Sequence, residues 1–224
     1  ILTSLGIQTI RVINHSDTAI LLEDIDTSTE LRLGVEGDLS DPQVARLIAR
    51  WYRQLHDIGR GYLQKSPIEF YDEADVITQE NLEFIRQKSC TVGNPVWGEI
   101  IGNWARITGM IQRLDRTLTY NDFYWTNLVV ARDLTHAFMF DYNLLGKGYI
   151  YGDIRNVCSS LSPVAAQAFL DEYGDFNRTE QKVDEVISPL VNLYFAYQQE
   201  VFPGWGAGSL RMLANGKLMD AVRT

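Results

Sequence analysis

The sequence predicts an α+β fold in which a short β segment and a connector precede a mostly helical body. Three patterns lead to this prediction. Strand-like alternation is confined to the first 25 residues, helical spacing of apolar residues covers most of the remainder, and two short apolar runs form one hairpin pattern. We expect residues 1–25 to form the β segment, 26–41 the connector and 42–224 the helical body.

Two strands are expected in the β segment. Residues 7–13 and 18–22 are rich in apolar and β-branched side chains, and residues 14–17 between them have the composition of a turn. Glu23 and Asp24 end the second strand, and the polar, glycine-containing stretch that follows predicts the connector.

The helical body begins with a strong start signal. Asp41 is suited to be an N-cap and Pro42 to occupy the first helical position, and Ser162 and Pro163 repeat the pattern. Pro189 predicts a bend in a long helix near the end of the chain. The expected helices cover residues 42–56, 79–88, 97–114, 163–174, 179–201 and 209–222.

Composition excludes several classes of function. No stretch approaches the roughly 20 apolar residues of a membrane span, and the first residues lack the features of a signal peptide. Cys90 and Cys158 have no metal-binding spacing, so we expect free thiols and a cytoplasmic location. A net charge of −9 argues against nucleic acid as the partner. It favours a cationic substrate, although solubility alone explains it equally well.

The hairpin pattern lies between two polar residues. Residues 128–130 and 137–140 read as short strands, and the polar residues 131–135 as the turn that joins them. A hairpin places the residue that enters it, Asn127, beside the residue that leaves it, Asp141. Asp122 lies five residues before Asn127.

This spacing of acidic and amide groups is the one that phosphoryl transfer requires. One carboxylate, Asp122, would accept the proton of the attacking hydroxyl, and Asn127 and Asp141 would hold Mg²⁺ against the phosphates of ATP. The alternative is that Asp and Asn only punctuate loops beside strands, as they often do.

With these residues in order, the chain resembles the aminoglycoside phosphotransferase and choline kinase family of protein-kinase-like small-molecule kinases. The family carries H-x-D-x-x-x-x-N, then a strand ending in Ile-Asp or Phe-Asp, then a Gly and a later Asp. The corresponding segments here are residues 120–127, 140–142 and 151–154. Weaker similarities lie at residues 20–24, 55–56 and 169–174, so the resemblance spans nearly the whole chain.

The resemblance implies a role for each matching residue. Asp122 would be the catalytic base, Asn127 and Asp141 the Mg²⁺ ligands, and Tyr120 and Asp153 supports of the catalytic loop. A helix N-cap explains Asp153 equally well. The matching hinge residues that would contact the nucleotide are Glu23, Asp24 and Ile25.

Two features depart from the family pattern. Tyr120 stands where the family has His, and its hydroxyl could support the loop only with shifted geometry. The sequence contains no G-x-G-x-x-G, and no Lys precedes Lys65. We therefore expect a fragment that contains the last strands of a truncated N-lobe and a helical C-lobe, with roughly 60 to 90 residues missing on family domain sizes.

The leading hypothesis is a kinase that moves the γ-phosphate of ATP to a hydroxyl of a small molecule, aminoglycoside- or choline-like and possibly cationic. Asp72, Glu73, Asp75 and Glu99 are candidate cation contacts, although exposed helix faces explain them as well. The first alternative is a non-catalytic, pseudokinase-like binding module. The second is a helical interaction protein in which the hairpin is incidental. We expect His15, His56 and His136 to be structural or exposed.

Overall fold

A computed structural model describes residues 1–224, which form seven short strands and nine α-helices. The strands are β1 (Val12–His15), β2 (Ile20–Leu22), β3 (Leu31–Leu33), β4 (Thr117–Thr119), β5 (Leu128–Ala131), β6 (Ala137–Met139) and β7 (Gly146–Gly148). The helices are α1 (Pro42–Leu63), α2 (Gln79–Lys88), α3 (Val96–Gly102), α4 (Trp104–Arg113), α5 (Ile150–Ser160), α6 (Pro163–Tyr173), α7 (Arg178–Gln198), α8 (Ala207–Ala214) and α9 (Lys217–Arg223). None of the helices has both the length and the hydropathy that crossing a membrane requires.

The chain forms two compact units. The first contains Ile1–Tyr71 and Arg116–Phe176, and the second contains Asp72–Asp115 and Asn177–Thr224. All seven strands, together with α1, α5 and α6, belong to the first unit. The second unit is helical and contains α2, α3, α4, α7, α8 and α9.

The strands of the first unit form three small antiparallel sheets, β1 with β2, β3 with β5 and β6, and β4 with β7. The central sheet contains the expected hairpin, in which Leu128 pairs with Met139 and Val130 with Ala137. All residues of β5 and β6 are buried, as expected of strands covered on both faces.

Helix α1 organises the core of the first unit. It begins as its sequence predicts, because the Asp41 side chain accepts hydrogen bonds from the backbone amides of Gln43 and Val44 and Pro42 occupies the first turn. Its buried face includes Trp51 and Leu55, and it packs on α6, β4 and β6.

The second unit is built around α7, which packs on α2, α8 and α9. Thr78 caps α2 by accepting a hydrogen bond from the Asn81 amide, as a helix start requires. Pro189 lies inside α7, where its missing N–H leaves one carbonyl without its usual helical donor. Glu99 of α3 pairs with Arg223 of α9 at 2.5 Å.

Several strand predictions need correction. The first strand begins at Val12 rather than Ile7, because the Ile7 side chain is buried in the core, where the neighbouring Gln8 carbonyl accepts a hydrogen bond from the Trp51 indole. The expected connector contributes β3, and β4 and β7 were not expected at all. Each of these three strands has three residues, which is too short for a recognisable sequence pattern. They form because pairing with a strand distant in the sequence stabilises them.

Helix boundaries differ from expectation in three places. Helix α1 continues to Leu63 instead of ending at His56. The helix expected over 97–114 is broken at Asn103 into α3 and α4, and the helix expected over 209–222 is broken into α8 and α9, where Gly216 has a φ of 86°. A Gly or Asn at each break has low helix propensity and tolerates non-helical geometry. Helix α2 has the expected bounds.

Candidate active site

The loop between β4 and β5 carries Asp122 and Asn127. It ends in a short 3-10 turn, Trp125–Asn127, that leads directly into β5. The Asn127 side-chain amide donates a hydrogen bond to Asp122 Oδ2 at 3.1 Å and makes a weaker one to the Asp122 carbonyl at 3.3 Å. These bonds orient the Asp122 carboxylate, and the Oδ1 atom of Asn127 accepts a weak hydrogen bond from the Thr126 hydroxyl at 3.5 Å.

The hairpin brings Asp141 to the same point. Phe140 immediately follows β6, and its N–H donates to the Asn127 carbonyl at 2.9 Å, so the residue after it is held beside Asn127. Asp141 is exposed and has a φ of 61°. Left-handed backbone is uncommon outside glycine, although Asn and Asp are enriched there, and it often marks functional sites.

The electrostatics of Asp122 show that the two carboxylates interact. Burial raises the pKa of Asp122 above the usual value for aspartate, and the charge of Asp141 raises it further. The hydrogen bond from Asn127 opposes this shift because it favours the ionised form. A cation placed between Asp122 and Asp141 would relieve their repulsion.

The donor set fits Mg²⁺. Carboxylate and amide oxygens are the hard ligands that this ion prefers, and it is commonly held by one or two carboxylates together with substrate phosphates. Asp141 would supply the carboxylate and Asn127 Oδ1 the amide oxygen, with the Asp122 carboxylate close to both. No group of three His, Cys, Asp or Glu side chains converges anywhere in the protein.

Tyr120 lies beneath this cluster. Its ring is fully buried and packs edge-on against Trp51 and Tyr142, and its hydroxyl donates to the Phe140 carbonyl. Burial raises the pKa of the Tyr120 hydroxyl far above its usual value, and the charge of Asp122 raises it further. The phenol is therefore neutral, and it joins the loop that carries Asp122 to the residue after β6.

Asp153 contacts the same loop from below. It is buried, and its two carboxylate oxygens accept hydrogen bonds from the backbone amides of Tyr120 at 2.8 Å and Asn121 at 2.9 Å. His56 Nε2 lies 3.0 Å from Asp153 Oδ2, and His56 Nδ1 lies 2.8 Å from the Tyr173 hydroxyl. This chain of contacts links α6, α1 and α5 to the residue preceding Asp122.

The helix N-cap interpretation of Asp153 is wrong. Tyr149 occupies the N-cap position of α5, and Asp153 lies inside the helix with its carboxylate bonded to the loop. His56 is fully buried, whereas His15 is exposed and His136 is partly exposed.

The expected hinge residues lie in the first unit, after β2. The Glu23 N–H donates to the Arg11 carbonyl, the Asp24 carboxylate accepts from the Asp26 amide at 3.1 Å, and Ile25 is buried. No hydrogen bond or ion pair joins these residues to the carboxylate cluster. The structure therefore places them in the same unit without bringing them into contact with it.

The four candidate cation contacts lie in the second unit, and two of them, Asp72 and Glu99, have structural partners. Asp72 is buried, and its side chain caps a short 3-10 helix by accepting from the Ala74 amide at 2.9 Å. Glu99 is paired with Arg223. These roles explain Asp72 and Glu99 without a ligand.

Two residues at the site were not expected from sequence. Asn121 has a φ of 64°, and the Asn156 side-chain amide donates to its carbonyl at 3.1 Å. Asp153 and Asn156 are three residues apart on α5, so both face the loop. The spacing D-x-x-N near a helix start is the only sequence pattern that points to these two residues of α5. It is too common to predict contacts with a loop without the structure.

No known protein-family profile and no curated protein sequence matches the chain. Among solved structures, it superposes on a choline kinase from Streptococcus pneumoniae with a TM-score of 0.60 and 13% identity, over 98% of this chain and 77% of that one. The superposition on an ethanolamine kinase from Plasmodium vivax has a TM-score of 0.61 and 12% identity, and it covers 98% of this chain and 72% of that one. For a choline/ethanolamine kinase family protein from Mesorhizobium loti the TM-score is 0.60 and the identity 10%, with 99% of this chain and 79% of that one covered.

These similarities extend over nearly the whole chain at identities too low to be found by sequence matching. They confirm the mixed α+β, protein-kinase-like fold class and the resemblance that the residue pattern implies. The chain has the fold of the choline and ethanolamine kinases.

Proposed function

We propose that this protein is a small-molecule kinase that transfers the γ-phosphate of ATP to a hydroxyl group, with Asp122 as the catalytic base. The observation that carries the proposal is the convergence of Asp122, Asn127 and Asp141, which the β5–β6 hairpin and the Asn127 hydrogen bond bring to one point. Phosphoryl transfer depends on positioning and on neutralising charge, and this cluster offers both.

The residues of the chain would act in distinct ways. The attacking hydroxyl oxygen forms the new bond to phosphorus, the bond to ADP breaks, and the hydroxyl proton passes to the Asp122 carboxylate. Asn127 holds that carboxylate in place, and Tyr120 and Asp153 hold the loop that presents it. Asp141 and the amide oxygen of Asn127 would hold Mg²⁺, which supplies charge neutralisation at the phosphates when bound.

A choline- or aminoglycoside-like acceptor is the substrate class that we propose. The structural neighbours are named for choline and ethanolamine, and one of them was solved with AMP. The net charge of −9 attracts cationic molecules towards the surface. We assign residues 1–25 to the end of an N-lobe, with the hinge at Glu23–Ile25. Residues 26–41 are the connector, and residues 42–224 are the helical C-lobe.

The test is phosphotransfer by the full-length protein with Mg²⁺, ATP and a panel of amino alcohols and aminoglycosides. Asp122→Ala should lower kcat by about 10²-fold or more while leaving the circular dichroism spectrum unchanged, because it removes the base. The matched control is Asp133→Ala in the turn between β5 and β6, which should retain full activity. Unchanged turnover in Asp122→Ala would rule the mechanism out.

A non-catalytic binding module is the second candidate. The substitution of Tyr for the family His at position 120 favours it, since the buried phenol bonds the Phe140 carbonyl and leaves no imidazole at the loop. It predicts that the protein binds Mg²⁺ and nucleotide without transferring phosphate to any acceptor in the panel.

A further inference from the structure

Asn121 makes three hydrogen bonds of 3.1 Å or less, and its side-chain amide makes a longer fourth one to the Thr119 carbonyl at 3.5 Å. None of the four involves Asp122 directly. Its N–H donates to Asp153 at 2.9 Å, its carbonyl accepts from Asn156 at 3.1 Å, and its side-chain amide donates to the Leu144 carbonyl at 3.0 Å. The first two bonds hold the backbone on α5. The third reaches a different segment, residues 142–145, which follows Asp141.

This third bond joins the two segments that carry the carboxylates. Strand β4 leads through Tyr120 and Asn121 to Asp122, and the segment after Asp141 leads into β7. The pairing of β4 with β7 ends at Thr119 and Gly146. The bond from the Asn121 side chain to Leu144 extends this link beyond the last ladder pair.

Close packing supports the arrangement. Gly146 lies so near Asn121 that a Cβ built on it would be 3.2 Å from the Asn121 amide nitrogen and 2.4 Å from the Tyr71 carbonyl. The Tyr71 carbonyl therefore requires a glycine at position 146, where the segment passes next to Asn121. Asn121 has a φ of 64°, a left-handed backbone geometry that Asn adopts more readily than most residues.

We propose that Asn121 is a positioning residue: its side-chain amide ties the segment after Asp141 to the loop of Asp122 and so sets the separation of the two carboxylates. The inference rests on the proposed function for its catalytic consequence, but the tie itself is a property of the folded chain. Residues that position metal ligands typically change metal affinity or activity by about 10- to 100-fold when removed.

The experiment uses Asn121→Gly, because glycine lacks the side-chain amide and adopts a positive φ without strain. Asn121→Ala removes the amide and also disfavours the backbone geometry. Cys90→Gly is the matched control, since Cys90 has a φ of 55° in an exposed turn outside the first unit. It loses a side chain at the same backbone geometry without touching the site.

The first measurement is amide hydrogen exchange in the absence of ligand. The Leu145 N–H, which bonds the Tyr142 carbonyl, reports on the segment. It should exchange about 10-fold faster in Asn121→Gly, whereas amides of the β5–β6 ladder should not change. The second measurement is Mn²⁺ affinity by electron paramagnetic resonance, which should fall by about 10-fold or more while the melting temperature stays close to that of Cys90→Gly.

The outcomes separate the two ideas. Equal Leu145 exchange and Mn²⁺ affinity in wild type and Asn121→Gly would overturn the role of Asn121. Failure of the wild type to bind Mn²⁺ or transfer phosphate would count against the proposed function, and Leu145 exchange would still decide whether Asn121 ties the segment. In an active protein, Asn121→Gly should lower kcat with little change in the KM of the acceptor, because the acceptor's own contacts remain.

Discussion

Asp122 and Asp133 are two aspartates of the same unit whose surroundings shift the pKa in opposite directions. Burial and then the charge of Asp141 raise the pKa of Asp122. Hydrogen bonds from Thr135 lower the pKa of Asp133, which lies in the exposed turn of the hairpin. The first carboxylate is arranged for interaction with a proton or a cation, and the second stabilises a turn.

These shifts predict opposite effects on stability. A carboxyl group whose pKa is raised in the folded state contributes stability below its unfolded pKa, and this stability is lost as pH rises through the folded pKa. A carboxyl group whose pKa is lowered contributes stability above its unfolded pKa, and this stability is lost as pH falls through the folded pKa. Asp122→Asn should therefore raise the melting temperature near pH 7, by less than about 1 kcal/mol in free energy because the group is partly exposed. Asp133→Asn should lower the melting temperature near pH 7.

Thermal unfolding from pH 7 down to pH 3 checks this pair. Both differences should shrink as pH falls towards and below the pKa of an unfolded aspartate, since the wild-type carboxyl groups then become neutral. A stabilisation by Asp122→Asn that persists undiminished at pH 3 would show that its cause is packing rather than charge.

At the scale of elements, the contact between α1 and β4 positions the loop that carries Asp122. Gly59 of α1 lies against β4, and a Cβ built there would be 2.7 Å from the backbone nitrogen and Cβ of Leu118. Strand β4 leads directly to Tyr120 and Asp122. The close approach of helix and strand thus fixes where the loop begins relative to α1.

Two glycine substitutions in the same helix test this contact. Gly59→Ala should lower the free energy of unfolding by about 1–3 kcal/mol, because α1 and β4 must separate to admit the methyl group. Gly61→Ala, where a Cβ meets nothing within 4 Å, should raise it by about 0.5–1 kcal/mol through helix propensity. Urea denaturation of both variants gives the comparison, and equal stabilities would contradict the close contact.

At the scale of the whole molecule, ligand binding should raise the free energy of unfolding. A ligand that binds only the folded state stabilises it by about 2.7 kcal/mol at 100 times its dissociation constant. Mg²⁺ with a non-hydrolysable ATP analogue should therefore raise the melting temperature of the full-length protein, and Asp141→Asn should weaken the effect. An absence of any shift would favour a helical interaction protein.

Much of the site could be predicted because its signals are local. The hairpin was visible as two apolar runs around a polar turn, and its antiparallel pairing necessarily places Asn127 near Asp141. Helix starts at Asp41-Pro42 and Ser162-Pro163 were readable because capping depends on adjacent residues. The sequence by itself therefore determined the order and the chemistry of the candidate catalytic groups.

Only the tertiary structure decided what supports those groups. His56 and Asp153 are 97 residues apart in the chain, and β4 and β7 are strands of three residues without a pattern of their own. Such contacts form because the packing of α1, α5 and the sheets brings distant polar groups together, where burial makes an unpaired partner costly. No local pattern encodes that proximity, so the bonds that hold Asp153, Asn156 and Asn121 around the loop became visible only in the fold.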